Sequence, residues 1–224
     1  MNTIIPCDPE PLSIDTARTA LIVVDMQNAF CKKGGMMDLR GSLDEGGTGR
    51  VIATCRDVLA AARNHDMPVF YLRMTYGLDV DAGLGPDSPF YWKEIGLEAV
   101  RRDPSLADRF LTSGSWGWDI IEELAPQPGD TVVDKSRFSG FVRTDLDAWL
   151  RAAGIRYLLF TGVYTNICVE STLRDAFHRD YFPILVRDAC GPMGREEAQE
   201  AAIRNIQAVF GWMTTSDDLI KSLG

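Results

Sequence analysis

Residues 19–25 read Thr-Ala-Leu-Ile-Val-Val-Asp (TALIVVD), an apolar run rich in Val and Ile that closes on a carboxylate. Such a run reads as a strand buried on both faces, as parallel strands are. Outward along the chain the pattern returns at Met67–Leu72 (MPVFYL), Thr131–Asp134 (TVVD), Tyr157–Thr161 (YLLFT) and Phe182–Asp188 (FPILVRD). Between these runs the apolar residues switch to helix spacing. Arg50–Asn64 carries Val51, Ile52, Cys55, Val58, Leu59 and Ala62 on one face, after Gly-rich loops around Gly34-Gly35 and Gly46-Gly47. Thr144–Ala153 turns Leu146, Trp149 and Leu150 inward and is capped by Gly154, and Asn166–His178 and Glu196–Phe210 continue the alternation. Thr214–Leu223 closes the chain as a short strand-like or helical end. Residues 75–117 are irregular, and a stretch of that length in a compact domain often carries function. Strands alternating with helices predict an α/β fold: one single-domain three-layer α-β-α unit over residues 1–224, with a mostly parallel sheet.

The chain has 224 residues, 46% hydrophobic and 25% charged, which excludes wholesale disorder and fibrous repeats. Lys plus Arg minus Asp plus Glu is 23 − 32 = −9. That balance argues against nucleic acid and anionic membranes as partners, since both need a basic surface. It leaves room for a small anionic substrate, for which one pocket cation suffices. No apolar run reaches the ~18 residues of a membrane span. The start of the chain lacks the basic-then-apolar order of a secretory signal. Five scattered cysteines without a CxxC pair suit a reduced, cytoplasmic protein better than a disulfide framework.

Familiar signatures are missing: no GxGxxG, no GxxxxGK[ST], no GxSxG and no HExxH. The two histidines, His65 and His178, fall near helix ends, where surface or structural roles are the ordinary reading. In open α/β sheets, ligands bind beyond the carboxyl ends of the strands. Asp25, Lys135 and Cys168 all fall there. A carboxylate, an ammonium and a thiol together suit nucleophilic cleavage of a C–N bond. The thiol attacks, the carboxylate carries the proton to the leaving amine, and amides at the helix start hold the oxyanion. Taken alone, Cys168 would read as a packing residue. Placed at a helix start beside an ammonium, it is expected to ionise below the ordinary cysteine pKa of ~8.5.

The local sequences extend this reading. Leu21–Phe30 (LIVVDMQNAF), Val133-Asp134-Lys135 with Phe138-Ser139-Gly140-Phe141, and Thr161–Thr172 (TGVYTNICVEST) resemble the three motifs of the isochorismatase-like cysteine hydrolase superfamily, in its order. The likeness covers about residues 17–217 and implies the isochorismatase-like hydrolase fold. It implies Asp25, Lys135 and Cys168 as the catalytic residues, a cis peptide at Val163–Tyr164, and an oxyanion hole from the amides of Tyr164 and Cys168. It implies no metal and no cofactor, and a homodimer or homotetramer. Asn166–Asp175, Gly85–Pro89, Gly114–Asp119 and Phe210-Gly211-Trp212 are similar to the ureidoacrylate amidohydrolase branch, which releases carbamate from a small ureido acid.

Two stretches depart from that branch. Arg73-Met74-Thr75-Tyr76-Gly77 stands where it carries an Asn-Gly-Trp-like segment, and Phe138 stands where it carries Tyr. Candidate substrate contacts are Asn28, Arg73, Tyr76, Phe138 and Tyr164, with Arg73 or Arg137 for a substrate carboxylate. The competing readings are an amidase for another carboxamide, maleamate- or nicotinamide-like, and a non-catalytic binding or scaffold protein that keeps the fold.

Overall fold

The computed structural model describes residues 2–77, 85–194 and 196–224. Its centre is a six-stranded sheet of β3 (Thr19–Val24), β4 (Val69–Met74), β5 (Thr131–Lys135), β6 (Tyr157–Val163), β7 (Phe182–Gly191) and β8 (Trp212–Thr214). The strands lie in the order β5-β4-β3-β6-β7-β8, every pair parallel. A two-stranded antiparallel sheet, β1 (Asn2–Ile5) and β2 (Leu12–Asp15), precedes it.

β3 explains the layering. Its side chains alternate across the sheet. Leu21 and Val23 enter one core, with Val58 and Leu59 of α3 (Glu45–Asn64) and Leu219 of α9 (Ser216–Leu223). Ala20, Ile22 and Val24 enter the other, with Leu146 and Leu150 of α6 (Leu146–Ala152) and Leu173 of α7 (Glu170–Phe177). Each fully buried Leu, Ile or Val is worth about 1.5–3 kcal/mol, so a strand apolar at every position is stable only between two layers. The expected three-layer α/β arrangement is the one observed.

After β5 the chain crosses β3 to place β6 on its other side. The strand order therefore reverses between β3 and β6, the crevice where ligands bind in such sheets. Close approach is needed here. At Gly162 (φ +109°) an added Cβ would lie 2.1 Å from the Val24 carbonyl oxygen.

Several local expectations change. The helix predicted from Arg50 begins at Glu45, because Asp44 caps it by accepting from Gly47 N–H at 3.0 Å. Gly46 and Gly47 thus lie in its first turn rather than in a loop. Trp149, expected inside, is 41% exposed, since α6 covers the sheet with Leu146 and Leu150 alone. Cys190 lies within β7, which runs further than predicted. The irregular stretch holds α4 (Pro89–Lys93), α5 (Ile95–Arg102) and a 3₁₀ segment at Pro104–Arg109, while residues 78–84 lie outside the described residues. Short helices named in passing are α1 (Asn28–Cys31), α2 (Met36–Leu39) and α8 (Glu196–Asn205).

Candidate active site

Three strand ends bring the chemistry together. Asp25 follows β3, Lys135 ends β5, and Cys168 lies in the turn after β6. Asp25 and Lys135 are fully buried, and Cys168 is 5% exposed. The Lys135 ammonium reaches past β4 to donate to Asp25 Oδ2 at 2.8 Å and to the Arg137 carbonyl at 3.2 Å. The Cys168 thiol lies beside both, close enough for Asp25 and Lys135 to shift its ionisation.

Asp25 is aimed by its backbone. It adopts φ +50°, a left-handed conformation that Asp tolerates better than most residues. Its own N–H still donates to Leu72 O at 2.9 Å and its carbonyl accepts from Gln27 N–H at 2.8 Å. The Met74 N–H is shared between Asp25 Oδ1 (3.1 Å) and Gln27 Oε1 (2.8 Å). Gln27 Nε2 in turn donates to the carbonyls of Met74 and Trp118. Gln27 was not singled out in the sequence. Its signal was a buried amide two residues after the carboxylate, legible only once its partners are known.

Electrostatics divide the protons. Burial raises the Asp25 pKa above the ordinary carboxylate value, although Lys135, the thiol and the Met74 N–H pull the other way. Burial works against the Lys135 charge, yet the Asp25 and Cys168 partners outweigh it and hold its pKa above the ordinary lysine value. Cys168 is pushed well above the ordinary thiol value, by burial first and then by the Asp25 charge, with Lys135 opposing. This reverses the expectation of a thiol acidified by its helix start. Desolvation and an adjacent carboxylate outweigh the dipole and the ammonium. The resting pattern is a neutral thiol beside a carboxylate of raised pKa.

The turn carrying Cys168 is π-helical, Thr165–Val169. The Tyr164 carbonyl accepts from Ile167 N–H (3.0 Å) and Val169 N–H (3.2 Å) and passes over the Cys168 N–H between them. The Val163–Tyr164 peptide is cis. The amide of Tyr164 thus immediately precedes the turn that presents the sulfur, and the amide of Cys168 lies within it.

Cys168 opens onto a cavity of about 140 Å³. Phe30, Phe138, Tyr164 and Ile167 wall it, with four methionines, Met36, Met37, Met74 and Met193. Lys93 and Glu94 are the charged residues of this wall. None of these except Phe138 and Tyr164 was singled out in the sequence, because the methionines and the α4–α5 junction lie far apart along the chain.

The other expected substrate contacts are placed differently. Asn28 donates from Nδ2 to the Trp116 carbonyl at 2.9 Å, tying α1 to the 116–119 loop. Arg73 makes a two-pronged ion pair with Asp134 (2.7 and 3.1 Å) and stacks 3.4 Å from the Trp118 ring centroid. Neither lines the cavity, because each has a structural partner that takes its polar head. Tyr76 is buried behind the wall and donates its hydroxyl to Glu94 Oε2. Tyr164 lines the cavity, but its hydroxyl is already occupied, donating to Phe30 O at 3.1 Å. Arg137 stacks on Phe90, whose ring packs on Phe138, just outside the cavity. His65 and His178 cap the C-terminal ends of α3 and α7.

A buried Cys–Asp–Lys cluster at a strand-order reversal is a specific arrangement. The isochorismatase domain pattern matches residues 19–218. The chain belongs to the isochorismatase family. Among relatives of this isochorismatase-family chain, the ureidoacrylate amidohydrolase RutB of Stutzerimonas stutzeri is 48% identical over 219 residues, 97% of this chain and 88% of that protein. A cysteine hydrolase from Pseudomonas syringae pv. phaseolicola matches in structure with TM-score 0.75, at 31% identity and 94% coverage of both chains. An N-carbamoylsarcosine amidase from Thermoplasma acidophilum matches with TM-score 0.66, at 29% identity, covering 89% of this chain and 97% of that one.

Proposed function

We infer that this family member is a cysteine amidohydrolase that cleaves the carbamoyl–nitrogen bond of a small ureido acid, ureidoacrylate-like, and releases carbamate, which decays to ammonia and carbon dioxide. The observation that carries the reading is the placement of the Cys168 thiol, which lines the cavity, beside the buried Asp25–Lys135 pair. A curated relative at 48% identity is a ureidoacrylate amidohydrolase, which supports the substrate class.

The steps follow from the groups present. Asp25 takes the thiol proton as sulfur attacks the carbamoyl carbon. The carbonyl oxygen becomes an oxyanion received by the amides of Tyr164 and Cys168. Lys135 keeps Asp25 oriented and charged as the proton moves. The C–N bond breaks as Asp25 returns that proton to the leaving nitrogen, and the carbamoyl group stays on sulfur. Water, losing a proton to Asp25, then attacks the carbamoyl carbon. Carbamate leaves and the thiol regains its proton. Lys93 is exposed beside Glu94 in the cavity wall, where an ammonium suits the substrate carboxylate. We place the enzyme in the cytoplasm, acting on a small-molecule substrate without a cofactor, as a homodimer or homotetramer. Among the described residues, no helix is long and apolar enough to cross a membrane.

The test is ammonia release from ureidoacrylate by the purified protein. Turnover that falls on the order of 10³-fold or more in Cys168→Ala supports the reading. Folded wild-type protein that releases no ammonia from ureido acids refutes it.

A further inference from the structure

Glu94 is an anomaly in its wall. It is 5% exposed and lies among aromatic and methionine side chains. Burying a carboxylate there is costly unless its oxygens are satisfied. One oxygen is. Oε2 accepts from the Leu97 N–H at 2.6 Å, capping α5, and from the Tyr76 hydroxyl. Gly96 makes room for this, since an added Cβ would lie 2.1 Å from the Tyr76 oxygen. The other oxygen, Oε1, has no partner among the described residues, and it is not among the sealed, unsatisfied polar atoms. Glu94 itself lines the cavity, and Oε1 is its oxygen without a partner. Capping α5 accounts for Oε2 and leaves Oε1 unexplained.

Resting on the hydrolase reading above, we propose that Glu94 selects the substrate: Oε1 accepts an N–H from the carbamoyl NH₂, so the site favours ureido compounds over amides whose acyl group is carbon. The carbonyl carbon attacked by Cys168 carries two substituents besides oxygen. The leaving nitrogen must meet Asp25, which protonates it. The substituent that stays on the acyl group is left to the cavity wall, where Glu94 is the carboxylate. In a ureido acid that substituent is NH₂, a donor. In an acetamide it is CH₃, which leaves Oε1 stripped of water and unpaired. Sites built around a substrate N–H reject the analogue that lacks it by large factors. Glu94 here acts as a specificity-determining residue, with Tyr76 as the positioning residue that fixes its rotamer.

The experiment compares two substrates with the same leaving amine and nearly the same shape, ureidoacrylate and 3-acetamidoacrylate, on wild type and Glu94→Gln. Gln retains an oxygen that can cap Leu97 while removing the carboxylate. Amine release is followed in both cases. Wild type is expected to favour the ureido compound by about 100-fold or more in kcat/KM, against the greater intrinsic reactivity of the amide. In Glu94→Gln the ureido value falls at least about tenfold, chiefly through KM, while the acetamido value holds or rises. Wild type that cleaves both equally well overturns the proposal, even if the variant does not fold. Equal losses on both substrates show a structural role and overturn it as well. If wild type cleaves only the acetamide, the ureido reading fails and this proposal fails with it. Those outcomes differ, so the two failures are distinguishable.

Discussion

Asp25 meets conflicting demands. As the proposed base it must be ionised to take a proton from Cys168, yet it is fully buried. Lys135 at 2.8 Å and the Met74 N–H at 3.1 Å stabilise its charge without cancelling the effect of burial, and its pKa stays above the ordinary carboxylate value. The sign of the pH effect follows. A carboxyl with a raised pKa is protonated over a wider acid range, and protonated Asp25 cannot accept the thiol proton. Activity is therefore lost as pH falls through a value above about 4. The acid limb of a kcat/KM profile should sit clearly above that point. A profile flat down to about pH 4 would remove Asp25 from the role of base. The same comparison explains why the thiol was misjudged from sequence. A helix start and a nearby lysine are visible in the chain, whereas desolvation and the proximity of Asp25 are not.

At the scale of elements, the site depends on how closely β3 and β6 approach. Asp25 leaves one strand and Tyr164 the other, and Gly162 is where they nearly touch. Gly162→Ala combines a left-handed φ of +109° with a Cβ 2.1 Å from Val24 O. It is expected to cost at least about 2 kcal/mol in denaturant unfolding and to lower activity beyond that loss. Gly154→Ala also has positive φ, +70°, but nothing within 4 Å. Its expected cost is only about 1 kcal/mol, with activity kept. Equal behaviour of the two variants would mean that strand approach does not set the site. The elements themselves were largely legible. β3, β6 and the first half of β7 are apolar at nearly every position, which only a doubly covered sheet explains, and α3 declares its face through Val51, Cys55, Val58 and Leu59. The β1–β2 hairpin was not legible. Its strands have four residues each, and their order comes from long-range ties such as Thr3 Oγ1 to Ser222 O and the Asp8–Met213 bridge.

For the whole molecule, the sheet order decides what the motifs can mean. Lys135 and Asp25 are separated by an intervening strand, β4, and meet because a lysine side chain is long enough to cross Met74. The motif residues were legible because each lies at or just after the end of a short apolar strand, read directly as sequence. The cavity wall was not, since Met36, Glu94, Phe138 and Met193 converge from separate segments with no shared pattern. Arg73 shows the converse error. An arginine beside a predicted strand end invites an anion-binding role, but Asp134 on the neighbouring strand and the Trp118 ring claim it. Sequence gives the charge of such a residue, and only the register of β4 on β5 gives its partner.

In the proposed mechanism Cys168 carries the carbamoyl group between two half-reactions. Rapid acid quenching of the enzyme during turnover of ureidoacrylate, followed by peptide mass mapping, tests it directly. A carbamoyl adduct is expected on the peptide containing Cys168, and it should disappear once substrate is exhausted. Full turnover with no adduct on Cys168, or turnover retained in Cys168→Ala, would contradict it.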